Sequence, residues 1–365
     1  MPISIETGEL RIVSSIDQAV SWDAPNVPTD DGRQQDLHFL PDGQRAVWLD
    51  SQIRCDLGAS LEHLCGCSAG IVPYDPVALQ RMISGLRAGA RYGPAAFALY
   101  TNLVFALHQN DHGRAGLLFS QLALLEPQDE LCRILPFDDP TFTPHREHIL
   151  TLMEFGEAGA GTLRSRDAEP LATFLADHHW AMDRMSRDLP ELAAEIRAVV
   201  AQVILVWVPD SDDQLVFDGG SSPMLWGGLF LNVARRRTPL ELLEVLVHES
   251  AHLLLYAFSQ HEPLVLNDEA ERYPSPLRAD PRPMEGIFHA TWVSARMAHA
   301  MEILGRSADL GEALRHQALE AMETDRANFL AGEAVIRAHA KLTSTGRRLI
   351  DSATAAMGSP GGCSQ

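Results

Sequence analysis

Basic residues are scarce in this chain. Over 365 residues, 29 Lys and Arg stand against 49 Asp and Glu, a formal net charge of −20. A surface of that sign repels phosphate backbones and anionic lipid, so neither nucleic acid nor a membrane surface is an expected partner. Cysteine is scarce too. Cys55, Cys65, Cys67, Cys132 and Cys363 form an odd, thin set in a long chain, which argues against a disulfide framework and for a reducing, cytoplasmic compartment. No uncharged apolar run reaches the roughly 18 residues that span a bilayer. The opening MPISIETGELRIVSSIDQAV has no basic segment followed by an apolar block, so no secretory signal is expected. The phosphate-binding G-x-x-x-x-G-K-[ST] loop, the dinucleotide G-x-G-x-x-G turn and the G-x-S-x-G elbow are all missing. What is present, 46% hydrophobic and 21% charged residues, is ordinary for a globular protein with a sizeable core.

Helical spacing dominates the first 200 residues. Apolar residues recur three and four apart near 76–90, 94–108, 113–125, 144–156, 168–187 and 189–201. Asp75-Pro76 has the cap-then-proline form of a helix start. Before it, the short apolar pieces 37–40 (LHFL) and 46–49 (AVWL) read as brief strands. The texture changes near 202. Val203 to Val208 is β-branched and aromatic and reads as a buried strand, with further strands expected at 214–217 and 226–233. Helices are then expected near 239–258, 283–304, 309–335 and 341–356.

The chemically informative segment begins at Thr238. Thr238, Pro239 and Glu241 form a capping box with proline at the first helical position. The helix they start carries His248, Glu249 and His252. Four residues make a little over one turn, so His248 and His252 project from one face and can grip a single divalent cation, with Glu249 about 100° around from His248. The flanking Leu242, Leu243, Val245, Leu246, Val247 and Leu253 to Leu255 are strongly apolar, and polar groups are costly to bury there without a purpose.

A third donor is needed. The metzincin pattern fails, because Leu255 and Phe258 stand where glycine and histidine would be required. Glu285, His289, Trp292 and Arg296 fall on one stripe of the next expected helix, near 283–304. With Glu285 the set is two histidines and a carboxylate, as in a thermolysin-like zinc site or a facial iron triad; with His289 it is three histidines. Spacing leaves both open. The segment 219–232 ahead of the metal helix has the look of an edge strand that pairs with an extended peptide, with Ser221, Ser222, Trp226 and Asn232 as candidate wall residues. Other signals are weaker: Cys65, Cys67 and His63 lack zinc-ribbon spacing, His145, His148, His178 and His179 fit helix surfaces, and Arg235-Arg236-Arg237 is either solvated or a seat for an acidic leader segment.

The H-E-S-A-H helix, followed by D-P-R-P-M-E-G-I-F-H-A-T-W-V-S-A-R from Asp280, resembles the HExxH-domain proteins found with ribosomally made peptide natural products. That family is described as 2-oxoglutarate-dependent peptide β-hydroxylases, and the resemblance covers roughly residues 200–300. It implies Fe(II) and 2-oxoglutarate as cofactors, a precursor peptide as substrate and hydroxylation of a carbon rather than hydrolysis. It favours His289 over Glu285 as the third ligand beside His248 and His252. The distal carboxylate of 2-oxoglutarate would need a cation, for which Arg296 is preferred and Arg282 is the alternative, since a guanidinium meets a carboxylate bidentately. Ser222, Trp226, Asn232 and Trp292 would meet the peptide. Glu249 would orient substrate; in the rival reading, a gluzincin-type zinc peptidase with Glu285 as ligand, it is the general base. The expected architecture is mainly α with a small β-sheet (α+β): a helical region over 1–195 suited to peptide recognition, a zincin-like metal-helix domain over 196–358, and a tail over 359–365.

Overall fold

The computed structural model describes residues 37–128, 131–153, 168–207, 218–235, 237–275 and 280–358. The expected strand at 214–217 and the tail at 359–365 lie outside the described residues, as do most of the first forty positions. The fold is mainly helical with one small four-stranded mixed sheet. By internal contacts it forms two compact units. One is built from the described residues of Asp42–Ala257; the other from the described residues from Phe258 on together with 37–41.

The first unit opens with α1 (Gly43–Ser68), where a strand was expected at 46–49. Asp42 caps it, accepting from the Arg45 amide at 2.9 Å. Ala46, Leu49, Leu57 and Leu61 are buried along one helical stripe, a periodicity that four residues are too few to display. Next come α2 (Pro76–Arg87), α3 (Pro94–His108) and α4 (His112–Ala123). Asp75 caps α2 as the sequence predicts, accepting from the amides of Val77 and Ala78. After β1 (Arg133–Pro136) follow α5 (Arg146–Met153), α6 (Ala168–Asp188) and α7 (Pro190–Val199). Then come β2 (Gln202–Val206), β3 (Gly219–Gly220), β4 (Gly228–Asn232) and α8 (Pro239–Phe258).

The sheet order is β1-β2-β4-β3. The first three strands run parallel, with Ile204 between Leu135 and Phe230, and β3 is an antiparallel edge strand pairing Gly219 with Leu231 and Gly220 with Phe230. Every residue of β2 and β4 is buried, as expected for parallel strands covered on both faces. The texture change near 202 is therefore the entry to a central strand of this unit. The expected strand at 37–40 does not form. The turn into β4 needs Gly227, whose φ of +81° is a left-handed conformation, and an added Cβ would stand 3.0 Å from Ala201 Cβ.

A buried polar knot ties this unit together. Arg54, 1% exposed, donates through Nε and Nη2 to both oxygens of Asp50 at 2.8 and 2.6 Å. Trp226 Nε1 donates to the same carboxylate at 3.0 Å. Arg91 lies 3.9 Å from Asp50 and bonds the carbonyls of Arg197 and Ala198 in the last turn of α7, where the helix dipole favours a cation.

The second unit holds α9 (Met284–Gly305), α10 (Glu312–His339) and α11 (Ser344–Gly358). The first two approach closely at Gly332, where an added Cβ would stand 2.0 Å from Thr291 Oγ1. The long connection before α9 is pinned by Asn267, which donates to Tyr273 Oη and the His339 carbonyl and accepts from the Lys341 amide at 2.7 Å. Among the described residues no helix is long and apolar enough to cross a membrane.

Candidate metal centre

α8 starts as its sequence dictates. The Thr238 amide donates to Glu241 Oε2 at 2.6 Å and the Glu241 amide to Thr238 Oγ1 at 3.2 Å, the reciprocal capping box. From that fixed start, His248 and His252 fall on one face. Their Nε2 atoms are 3.3 Å apart, with ring centroids 5.0 Å apart and planes at 65°. Two nitrogens at metal-bond length from one ion, at a tetrahedral angle, stand about 3.3–3.4 Å apart. The pair therefore fits two sides of a metal's coordination sphere. Burial holds the His248 imidazole down to about 4, against a weaker upward pull from Asp218, so it is neutral and has a lone pair to give.

Glu249, 5% exposed, turns toward the sheet. Ser221 Oγ lies 3.1 Å from its Oε2 and 3.3 Å from its backbone carbonyl. Burial pushes the Glu249 carboxyl up to about 7, opposed by the Ser221 hydrogen bond; Asp218 adds a smaller upward push and Arg237 a downward one. Asp218, just before β3, accepts from Arg237 Nη2 and lies 3.3 Å from Arg235 Nε. Arg237 also donates to the Asn232 carbonyl at 2.9 Å. Arg237 thus braces the carboxyl end of β4, the end at which open parallel sheets place their sites. The sequence reading missed Asp218. Its signal was its place between a turn and two glycines, and its partner lies 19 residues downstream.

The other predicted residues are placed as follows. Ser222 caps the turn Pro223–Leu225, accepting from the Met224 amide at 3.3 Å. Asn232, 1% exposed, accepts from the Ala234 amide through Oδ1. Trp226 is 2% exposed with its indole committed to Asp50, which takes it into the packing between α1 and β4.

In the second unit, Glu285, His289, Trp292 and Arg296 all lie on α9. Glu285 is half-buried; His289 is buried, which holds its imidazole down to about 4. Trp292 is sealed between the rings of Phe39 and Phe258 at 5.5 and 5.9 Å. Arg296, 2% exposed, donates to the Phe39 carbonyl at 2.6 Å and lies 5.8 Å from the Phe39 ring centroid. Arg282 lies against Asp280 at 2.8 Å and pairs its backbone with Tyr273.

Among the described residues, no group of three or more His, Cys, Asp or Glu side chains is gathered as a metal-binding cluster. On α8 the imidazoles of His248 and His252 stand as a pair. On α1, Cys67 Sγ lies 3.5 Å from His63 Nε2 on an exposed face; Cys55 and Cys65 on the same helix, and Cys132 just before β1, are likewise free thiols. No protein-family model matches the chain, and comparison with curated proteins finds no match.

Proposed function

We propose that this protein is a metal-dependent enzyme of peptides, an Fe(II)- and 2-oxoglutarate-dependent hydroxylase acting on a carbon of a ribosomally made peptide. The observation that carries the reading is the convergence of His248 and His252 Nε2 at 3.3 Å on one capped helix. Two neutral imidazoles in that relation are a chelating pair for Fe(II) or Zn(II) alike. The third donor is assigned by the resemblance, as His289 or, if a carboxylate completes the set, Glu285. Bound iron with 2-oxoglutarate supplies replacement of a C–H hydrogen by hydroxyl, with O2 and 2-oxoglutarate consumed and succinate and CO2 released.

The chain's own residues do the rest. The antiparallel edge strand β3 beside the metal helix supports a zincin-like arrangement, in which an extended peptide adds to that edge. In this reading Glu249, buried against β3, holds a peptide amide or the substrate side chain. Arg296 keeps its role as partner of the 2-oxoglutarate carboxylate as a proposal, with Arg282 as the alternative. The free thiols suit a reducing compartment, and we place the reaction in the cytoplasm.

A zinc-peptidase reading draws on Glu249, a buried carboxylate directly following His248 of the histidine pair, the position from which a general base would act on metal-bound water. One experiment separates the two. The protein is incubated with Fe(II), 2-oxoglutarate, isotopically heavy O2 and a randomised peptide pool, and in parallel with Zn(II) and the same pool. Succinate and peptides each carrying one heavy oxygen support the hydroxylase. Peptide cleavage with zinc and no 2-oxo acid supports the peptidase and overturns it.

A further inference from the structure

Glu249 is a carboxylate carried on a helix but aimed by a strand. Its hydroxyl donor among the described residues is Ser221, 28 positions earlier, at the exit of β3. The Ser221 hydroxyl reaches both Oε2 and the main-chain carbonyl of Glu249, at 3.1 and 3.3 Å, a three-centre contact that fixes the side chain against its own helix. The other carboxylate oxygen faces Gly219. An added Cβ there would stand 3.1 Å from Glu249 Oε1 and 2.9 Å from Leu231 Cδ2, so the strand lies flush on the carboxylate only because position 219 has no side chain. Asp218, immediately before, is clamped by Arg237. Three features in and beside one short strand thus bear on a single buried acid: a charge-paired aspartate just before it, a glycine gap within it and a serine donor at its exit.

We infer that Ser221 is a positioning residue: its hydroxyl sets the direction of the Glu249 carboxylate and thereby couples the peptide-facing edge of the sheet to the metal helix. Movement of β3 on peptide docking would be passed to Glu249 through this bond, while His248 and His252, one face around, keep their separation. The inference rests on the reading of α8 as a metal helix with Glu249 beside the reaction. It adds that Glu249 acts only as aimed by Ser221.

The test uses the full chain with Ser221→Ala, Ser221→Thr and Glu249→Gln. In carbon-13-labelled protein the Glu249 Cδ resonance, identified by its loss in Glu249→Gln, moves in Ser221→Ala and returns in Ser221→Thr, while Co(II) affinity is unchanged in both. With the peptide recovered from the randomised pool, Ser221→Ala lowers kcat about tenfold, Ser221→Thr restores it, and Ser221→Ala has no further effect in the Glu249→Gln background. A Glu249 resonance indifferent to Ser221→Ala, or a full additional tenfold loss on top of Glu249→Gln, overturns the assignment. If the resonance moves as expected but no variant, wild type included, transfers oxygen, the positioning role stands and the hydroxylase reading falls.

Discussion

Trp226 and Asp50, 176 residues apart in the chain, are joined by a 3.0 Å hydrogen bond from the indole to the carboxylate. The bond ties the turn that leads into β4 to the N-terminal third of α1. Asp50 also neutralises Arg54, whose side chain is 1% exposed. Removing the charge of Asp50 leaves a guanidinium buried without its counter-ion. Asp50→Asn should cost about 3 kcal/mol, read as a lower urea midpoint with an unchanged slope. Adding Arg54→Met to that variant should recover part of the loss, because two apolar or neutral groups are easier to bury than one bare charge. A midpoint shift worth well under 1 kcal/mol would show the pair to be solvated.

Phe39 plays the corresponding part in the second unit. It is 1% exposed, its amide donates to Ser352 Oγ at 2.8 Å, its carbonyl receives Arg296, and its ring meets those of Trp292 and His299 edge-on. Phe39→Ala should destabilise by about 3–5 kcal/mol through the cavity alone. Thermal unfolding measures it, and a change in melting temperature of only a degree or two would contradict this placement.

Acid should act in part through His178, one of several buried imidazoles held low. It is 8% exposed, stacks on Phe174, and burial, with a smaller push from neighbouring His179, holds it down to about 4. Above its ordinary value of 6.5 the imidazole is neutral folded or unfolded, and it contributes no pH dependence. Between 6.5 and about 4 the unfolded chain takes up a proton that the folded chain refuses, so stability falls as pH falls, by up to about 3 kcal/mol. Urea midpoints measured between pH 7 and 4 should drop more steeply for the wild type than for His178→Gln. Parallel curves would assign the acid sensitivity elsewhere.

Much of this was legible in the sequence where the cause is local. Thr238, Pro239 and Glu241 announce the start of α8, and a fixed start places His248 and His252 on one face with no further information. Asp75-Pro76 announces α2 in the same way. The strands at 202–206 and 228–232 were readable from their unbroken apolar character. β1 was not, because Arg133–Pro136 is four residues long with a proline at its end, and what makes it a strand is its pairing with β2. AVWL was misread as a strand because its burial belongs to a helical stripe that extends to Leu61. The contacts that shape the candidate site were silent for a similar reason. Ser221 meets Glu249, and Arg237 meets Asp218, only after the chain has folded back on itself. The bond from Trp226 to Asp50 was equally silent, since Asp50 is one acid among several in a helix 176 residues earlier.

The most direct test of the metal centre is calorimetric titration of the metal-free protein with Zn(II) and with Fe(II) under anaerobic conditions, beside His248→Ala and His252→Ala. The two imidazoles at 3.3 Å predict one ion per chain for the wild type and a loss of at least about a hundredfold in affinity for each variant. Wild type that binds no ion, or variants that bind as tightly as wild type, would contradict the account.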